Sequence, residues 1–394
     1  MARLGDIFEA QITGEWGNEC TENEAGTKVL RTTNFTSDGI INFDNIVLRS
    51  IAESKVEKKR LRYGDIILEK SGGTEKTPVG RVVFCDQSIE DDIYLCNNFT
   101  QAMRVNQKVG CPRYVFYFMW YLHHSGKTDL LQNKTTGIRN LQVKSYLNEE
   151  IPLPPLEEQR RIAALLDKVS DLIARRRAQL DKLDLLVKSR FVEMFGDQYT
   201  NPKGWETGTI RDVVSEVKYG TSRPAVEGGA YKYLRMGNIT FDGHLDLSDL
   251  KYINIPESEI EKCIVKRGDV LFNRTNSKEL VGKTCVFDLD EPMVIAGYII
   301  RVRVNKRVLP DYLSAVLNSQ YGKRTLADMC KTIVGQANIN AQELQNITIL
   351  IPPIQLQREF SQSIDQVKKL AFNINHGLEK LEILKKALMQ KYFQ

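Results

Sequence analysis

The sequence has no apolar stretch long enough to cross a membrane. Its longest dense apolar run, residues 115–122, has eight residues, whereas a membrane-spanning helix needs roughly 20. The first residues, MARLGD, also lack the apolar core of a secretory signal peptide. We therefore expect a soluble, cytoplasmic protein.

Patterns that bind metals or form disulfides are equally absent. The seven cysteines are scattered, no two have the C-x-x-C spacing of a zinc or redox site, and the four histidines do not lie near them in the sequence. An odd number of dispersed cysteines favours reduced thiols over a disulfide framework. We therefore expect no metal site and no cofactor in this chain.

Neither charge nor composition marks a specialised class of protein. There are 55 basic and 50 acidic residues, a net charge of +5, in a chain that is 42% hydrophobic and 27% charged. These proportions are typical of folded globular proteins and exclude disorder. The excess of positive charge is too small to identify a nucleic-acid partner by itself. At roughly 150 residues per domain, 394 residues indicate two to three domains.

What the sequence does contain is an internal repeat, the signature of a duplicated structural unit. Four segments of the first half recur in the same order in the second half, at offsets of 198 to 204 residues: 28–39 with 232–243, 63–68 with 267–272, 79–84 with 281–287, and 151–160 with 349–358. Because the order is kept, chance is a poor explanation. The chain is one unit of about 200 residues used twice.

Each copy predicts a strand-rich domain followed by a long helix. Short alternating apolar segments between Gly, Asn and Asp turn residues, such as 66–68 and 298–304, are typical of strands. A helix of about a dozen residues is predicted after Pro112 and after Pro310, since proline is tolerated in a first helical turn. We predict an α+β fold with two pseudo-symmetric, mainly-β domains joined by two long helices. The predicted boundaries are 1–150 and 198–348 for the two domains, and 151–197 and 349–394 for the helical regions.

The two helical regions carry sustained apolar heptads, interrupted only by Gly377. Such heptads predict coiled-coil packing, and the simplest arrangement is an antiparallel pair made by the two helices themselves. The two domains would then lie at opposite ends. We expect the helices to dock protein partners through these positions: Leu166, Ile173, Leu180, Leu183, Val187, Ile364, Ile374, Leu378 and Leu381.

Two similar domains held apart by helices suit double-stranded DNA, whose grooves repeat every 34–36 Å or so. Since the two domains differ in sequence, the expected target is bipartite and asymmetric. Side chains that can contact base edges or phosphates give the DNA-binding candidates: Arg31, Asn34, Lys70, Thr74, Lys76, Arg81, Thr221, Ser222, Arg223, Arg235, Asn238, Arg274, Asn276, Lys278 and Lys283. For Arg31, Asn34, Arg235 and Asn238 an alternative stays open, in which their repeated identity reflects bracing of the fold.

The combined pattern resembles the specificity (S) subunit of type I restriction-modification systems. The resemblance rests on the segment PLPPLEEQRRI (152–162), on the helix end FVEMFGD (191–197), on the repeated Gly-Asp segments and on the duplication of the whole chain. It implies two target-recognition domains that bind a split DNA sequence, and helices that dock two methyltransferase (modification) subunits. It further implies that restriction subunits can join, that S-adenosylmethionine binds the methyltransferase subunits, and that this chain is not itself an enzyme. Adenine methylation and DNA cleavage would belong to the complex that defends against phage.

Other functions fit the residues less well. A methyltransferase would need Asp or Asn before Pro-Pro, and neither Pro-Pro pair has one. The fragment Gly282-Lys-Thr lacks the earlier glycine of a phosphate-binding loop, because that position is Ser277. A nuclease centre at Glu216 and Lys218 has no counterpart in the first domain. A coiled-coil scaffold that binds only protein stays possible, although it would not need two divergent basic domains.

Overall fold

The computed structural model describes residues 1–21, 25–74, 77–135, 138–277, 280–333 and 336–394. Their contacts divide the chain into two units, here called the first unit (Met1–Arg175 with Gly377–Gln394) and the second unit (Arg176–His376). Each unit contains one strand-rich domain and part of each long helix. The predicted fold class is confirmed.

The first unit holds twelve strands within the described ranges. They are β1 (Ala2–Arg3), β2 (Phe8–Thr13), β3 (Thr27–Leu30), β4 (Val47–Arg49), β5 (Ile66–Glu69), β6 (Ser71–Gly73), β7 (Val82–Phe84), β8 (Tyr94–Cys96), β9 (Thr100–Val105), β10 (Gln132–Thr135), β11 (Ile138–Leu141) and β12 (Glu150–Ile151). They form sheets in the orders β2-β9-β5-β7, β4-β3-β8, β10-β11-β6 and β1-β12. The strands pair antiparallel except β3 with β8, which run parallel.

The second unit repeats this arrangement. Its strands are β13 (Glu206–Thr209), β14 (Val214–Tyr219), β15 (Tyr231–Leu234), β16 (Lys251–Ile253), β17 (Ile264–Val265), β18 (Val270–Asn273), β19 (Thr275–Asn276), β20 (Thr284–Val286), β21 (Met293–Ile295), β22 (Ile299–Val304), β23 (Lys331–Ile333), β24 (Gln336–Asn338) and β25 (Thr348–Ile351). The sheet orders are β14-β22-β18-β20, β16-β15-β21-β17, β19-β24-β23 and β13-β25. The predicted duplication is therefore present in the strand topology.

The helices match the repeat as well. They are α1 (Glu53–Lys59), α2 (Pro112–His124), α3 (Lys127–Leu130), α4 (Val143–Leu147), α5 (Leu156–Phe195), α6 (Ile210–Val213), α7 (Glu257–Cys263), α8 (Pro310–Asn318), α9 (Gln320–Met329), α10 (Ala341–Gln345) and α11 (Ile354–Phe393). Helices α2 and α8 begin at the prolines that predicted them. In the described ranges, no helix is both long and apolar enough to span a bilayer.

The central strands are buried on both faces, which explains their continuous apolar sequences. In β5, Ile66 and Leu68 belong to the core that contains α2, whereas Ile67 belongs to a separate core with β3 and β8. In β18, Val270 and Phe272 face one core and Leu271 the other. Successive side chains of a strand point to opposite faces, so a three-residue apolar run serves two cores at once.

The repeated Gly-Asp segments form a turn and a buried ion pair. Gly64 has φ +87° and Gly268 has φ +92°, a left-handed conformation that favours glycine. Asp65 accepts hydrogen bonds from the Arg104 guanidinium at 2.8 Å, and Asp269 is bonded to Arg303. Each pair links the start of a central strand to a neighbouring strand, which accounts for the repetition of this motif.

A glutamine near the start of each long helix ties that helix to its domain. The Gln159 side-chain oxygen accepts from the backbone N–H of Cys111 at 2.9 Å, and Gln357 accepts from Leu309 at 2.8 Å. At the other end of the helices, Phe393 packs in the core of the first unit with Leu166 of α5, and Phe195 packs in that of the second unit with Phe360 of α11. Within each unit, the start of one long helix therefore shares a core with the end of the other.

Candidate nucleic-acid interface

Two of the predicted Arg–Asn pairs, one in each unit, form the same kind of turn. The amide oxygen of Asn34 accepts from the backbone N–H of Arg31 at 2.9 Å, and that of Asn238 accepts from Arg235 at 2.8 Å. The amide N–H₂ of each asparagine donates to backbone carbonyls further along the chain. Both asparagines are buried, and Arg235 also pairs with Asp249 at 2.6 Å. Because both asparagine amides are used inside the turn and each arginine also donates to a backbone carbonyl oxygen of its own domain, the geometry favours the bracing alternative for these positions.

Arg81 and Lys283 also bind the protein itself. The Arg81 guanidinium makes two hydrogen bonds of 2.8 Å to Glu69 and one of 3.2 Å to the carbonyl oxygen of Thr32. Lys283 donates to the equivalent carbonyl oxygen, that of Met236, at 2.7 Å. The hydrogen bond with Glu69 raises the pKa of Arg81, and burial lowers the pKa of Lys283. Both cations stabilise the local fold, and their predicted DNA contact stays a prediction.

Lys70 and Arg274 have a different environment, at the end of the central strands β5 and β18. The backbone N–H of Lys70 donates to the carbonyl oxygen of Phe99 at 2.9 Å, and that of Arg274 donates to Tyr298 at 2.9 Å. Phe99 is 46% exposed and Tyr298 is 53% exposed. Each unit therefore has a cation beside an exposed aromatic residue at the same point in its sheet. Sequence reasoning did not predict a role for Phe99 or Tyr298. The signal that could have identified them is that each is an aromatic residue directly before a strand, β9 or β22.

Arg274 lies at a cleft in the second unit. Its guanidinium carbon is 4.9 Å from the ring centroid of Tyr219, and its Nε atom is buried with no hydrogen-bond partner among the described residues. The Tyr219 hydroxyl accepts from the backbone N–H of Ala341 at 2.8 Å, so the ring under the guanidinium is fixed. The cleft is also lined by Ser222 and Lys262, a cation that sequence reasoning missed. A cation held over a fixed ring can present its remaining N–H groups to a ligand.

The loop before β15 contributes one exposed hydroxyl to this cleft. Thr221 is buried, and its carbonyl oxygen accepts from the backbone N–H of Gly297 at 2.7 Å. Arg223 is paired with Glu259 at 2.7 Å. Ser222 is exposed between them. Of these three predicted residues, Ser222 has the geometry most open to a phosphate.

The remaining loop candidates are only partly described. The Thr74 hydroxyl is 2.8 Å from that of Thr77, and the side-chain oxygen of Asn276 accepts from the backbone N–H of Ser277 at 2.9 Å. Lys76 and Lys278 lie outside the described residues.

The predicted docking positions of the helices are buried or half-buried, and none is among the exposed residues. Leu166 and Ile173 are buried, and the other seven are half-buried: Leu180, Leu183, Val187, Ile364, Ile374, Leu378 and Leu381. A second set of apolar helix residues is exposed: Leu165, Leu172, Leu185, Leu186, Val192, Leu370, Phe372, Ile383 and Leu384. Sequence reasoning missed this exposed set, because heptad positions identify the packed face of a helix.

The described residues contain no cluster of three or more His, Cys, Asp or Glu side chains that could hold a metal ion. Glu216 and Lys218, considered as a nuclease centre, are paired with each other at 2.6 Å. Glu216 also binds the guanidinium groups of Arg301 and Arg303. This carboxylate is neutralised by three cations, which is an arrangement that stabilises a sheet and leaves little negative charge for a metal.

Comparisons with known proteins agree with this architecture. A family model described as the type I restriction modification DNA specificity domain matches residues 1–183 and 202–383. The type I restriction enzyme EcoKI specificity subunit of Escherichia coli (strain K12) is 24% identical over 379 residues, covering 89% of this chain and 79% of the relative. The StySPI specificity subunit of Salmonella potsdam is 22% identical over 387 residues, covering 93% and 81%.

Solved structures share the fold. The S subunit of a type I restriction-modification system from M. genitalium superposes with a TM-score of 0.58 at 13% identity, covering 100% of this chain and 95% of that one. A chain from a study of complex assembly in the type I R-M system gives a TM-score of 0.54 at 21% identity, covering 100% and 97%. Two matches to one family model span nearly the whole chain, one for each repeat. The chain therefore belongs to the type I restriction modification DNA specificity domain family, as a DNA-recognition subunit and not an enzyme.

Proposed function

We propose that each unit reads one half of a bipartite, asymmetric DNA sequence, and that Lys70 with Phe99 and Arg274 with Tyr298 form the two contact surfaces. One observation carries this proposal: a cation and an exposed ring stand together at the same point of both sheets. The position is shared, whereas the chemistry differs between units. A shared position suits docking on a common DNA shape, and a different side chain suits a different base sequence.

The two cations differ in what they can recognise. Arginine makes paired hydrogen bonds to guanine O6 and N7 in the major groove, whereas lysine acts more as a point charge. Arg274 already rests on the ring of Tyr219, so less side-chain entropy is lost when it binds. We infer that Arg274 selects a base in its half-site. Phosphate contacts provide much of the total affinity, which then falls steeply with salt.

The test is an Arg274→Ala variant in the assembled complex. Loss of a paired base contact costs about 1–3 kcal/mol, or roughly 5- to 150-fold in affinity. DNA binding is measured for targets with base changes in either half-site, at one salt concentration. We expect the variant to lose discrimination at one half-site and to keep it at the other.

Arg267→Ala is the matched control, because Arg267 is an exposed arginine just before β18, whereas Arg274 follows that strand. It should bind like the unchanged chain. Equal losses at both half-sites, or an equal effect of Arg267→Ala, would contradict the proposed contact surface.

We further propose that two methyltransferase subunits, which carry S-adenosylmethionine, dock on the exposed apolar residues of α5 and α11, and that restriction subunits join this assembly. Exposed apolar side chains on a helix are typical of an interaction surface. We place the protein in the cytoplasm, where DNA is accessible and thiols stay reduced. The buried thiols of Cys85, Cys96, Cys263 and Cys285 are consistent with that compartment.

A further inference from the structure

In the first unit, Arg113 at the start of α2 lies in an aromatic cage. Its guanidinium carbon is 4.7, 4.9 and 5.0 Å from the ring centroids of Phe84, Phe116 and Tyr117. The guanidinium donates to the Asp167 carboxylate at 2.6 Å, and the Tyr117 hydroxyl donates to the same oxygen at 2.6 Å. Ring faces and a carboxylate both stabilise a cation that is half-buried, as Arg113 is. A cation, its counter-ion and three rings therefore fill this space.

The internal repeat identifies the matching place in the second unit. The hydroxyl of Tyr114 donates to the carbonyl oxygen of Pro152 at 2.8 Å, and that of Tyr312 donates to Leu350 at 2.7 Å. Together with the paired glutamines of the long helices, these bonds fix an offset of 198 residues for this part of the fold. At this offset, the cage positions of the second unit hold Asp311 for Arg113, Ser314 for Phe116, Ala315 for Tyr117 and Asp365 for Asp167. The strand register gives the counterpart of Phe84, because Phe84 pairs with Ile66 of β5 as Val286 pairs with Val270 of β18. The cation and all three rings are missing there.

The replacement of large side chains by small ones leaves a cavity of about 390 Å³ in the second unit. Its apolar walls include Val187, Phe191, Val286 and Ile364, and Asp311 is the carboxylate at the cage position. This volume lies within the range of roughly 300–1,000 Å³ that is usual for small-molecule sites. The cavity is therefore large enough for the side-chain groups that fill the first unit.

Among the described acidic residues that line the cavity, Asp311 is the one without an ion pair, although the charge of Lys368 acts on it from a distance. Three acidic residues at the rim have partners, in the pairs Asp242 with Lys188, Asp184 with His244 and Asp288 with Lys368. Within the described part of the chain, no cation lies within ion-pair distance of Asp311. Burial raises the pKa of the Asp311 carboxyl, and the negative charges of Asp365 and Asp288 raise it further, whereas the Ser361 hydroxyl and the positive charge of Lys368 act in the opposite direction. The amide oxygen of Asn318, at the wall, has no hydrogen-bond partner among the described residues.

A simpler explanation accounts for part of this arrangement. Asp311 lies in the first turn of α8, where an acidic residue interacts favourably with the helix dipole. That preference explains the acid but does not explain the cavity beside it. Apolar walls do not suit a bare metal ion, which needs several polar ligands. The carboxylates would repel an anion.

We propose that this cavity binds an organic cation of side-chain size, with a guanidinium or amidinium group at Asp311 and an apolar body against the walls. The ligand takes the space and the charge that Arg113 and its rings supply in the first unit. This chemistry is offered by a free small molecule and by an arginine side chain of a partner protein. The site is separate from the proposed DNA contacts at Arg274 and Tyr298, so its failure would leave those contacts unaffected.

The probe is benzamidine, and the neutral control is benzamide, which has nearly the same shape. Binding to the full chain is measured by calorimetry or by ligand-observed NMR. We expect benzamidine to bind at least tenfold more tightly than benzamide, because only the amidinium pairs with Asp311. Asp311→Asn should reduce benzamidine binding to the level of benzamide, and Ala315→Tyr should abolish the binding of both by filling the cavity.

Asp290→Asn, which removes an exposed carboxylate elsewhere in the second unit, is the matched control and should change nothing. A thermal unfolding curve for each variant shows that it is folded. Equal binding of the two probes, no binding of either, or full benzamidine binding by Asp311→Asn would overturn the proposal. The probe comparison on the unchanged chain decides the matter even if a variant does not fold.

The same measurement on the assembled complex identifies the source of the cation. If benzamidine binds both the isolated chain and the complex, the natural ligand is a free small molecule. If it binds only the isolated chain, a side chain of a partner subunit occupies the cavity. Both results support an organic-cation site.

Discussion

Replacing Asp65 by Asn tests whether the repeated Gly-Asp segments are structural. The Asp65 carboxylate is 1% exposed and accepts two hydrogen bonds of 2.8 Å from Arg104 and one of 2.9 Å from the backbone N–H of Arg62. Asparagine has one oxygen and directs an N–H₂ group at the guanidinium, so the Arg104 charge loses its counter-ion. Removing one partner of a buried ion pair costs about 3–5 kcal/mol. Because the Arg104 side chain is 18% exposed and partly solvated, we expect the lower end, about 3 kcal/mol.

Hydrogen exchange read by mass spectrometry measures this loss in each unit separately. A cost of about 3 kcal/mol makes opening roughly 150-fold more frequent, since each 1.4 kcal/mol is a factor of ten. The increase should appear in Ile66–Glu69 and not in Val270–Asn273. Asp269→Asn is the matched variant and should show the reverse pattern.

A second variant separates charge from packing. Adding Arg104→Met to Asp65→Asn removes the uncompensated cation, so part of the lost stability should return. The reasoning fails if Asp65→Asn leaves exchange unchanged and alters recognition of one half-site in the folded complex. In that case the Gly-Asp segment would be part of the DNA surface.

Two further predictions concern the helices and the histidine at the end of α2. Joint replacement of the exposed Leu185 and Leu186 by Ser should weaken docking of one methyltransferase subunit several hundredfold, at about 2 kcal/mol per buried leucine. Native mass spectrometry should show one subunit fewer, whereas Leu280→Ser, an exposed leucine outside the long helices, should leave the mass unchanged. Burial lowers the pKa of His123 to about 4 from 6.5. The contribution of the neutral His123 to the stability of the first unit is therefore fully present above pH 6.5 and is lost as the pH falls towards 4. Urea unfolding of His123→Gln should show a weaker acid dependence over this interval, and an unchanged profile would refute the assignment.

Much of the fold could be predicted because its signals are local. The prolines at the start of α2 and α8, the apolar runs of β5 and β18 and the heptads of the long helices each report on a few neighbouring residues. The duplication adds a check, since each element is predicted twice. The exposed set on the helices was not predicted, because the same apolar residue types occupy packed and exposed positions.

The candidate site was harder to predict for a physical reason. Arg31, Asn34 and Arg81 have the side chains of a DNA reader, but their partners lie on segments that only long-range pairing brings close. Phe99 is next to Lys70 because β9 pairs with β5, although 29 positions separate them in the sequence. Residue type gives hydrogen-bonding capacity, and the fold decides whether that capacity is used internally.

The sequence by itself determined that this protein is a duplicated chain with two strand-rich domains, two long helices and the family pattern of a specificity subunit. These features depend on periodicity and order, which the sequence carries directly. The tertiary structure alone decided which repeated cations brace the fold, which rings stand exposed beside Lys70 and Arg274, and where a missing arginine leaves a cavity. Those outcomes depend on contacts between distant segments, because a side chain's burial and partners are set by the packed neighbours around it.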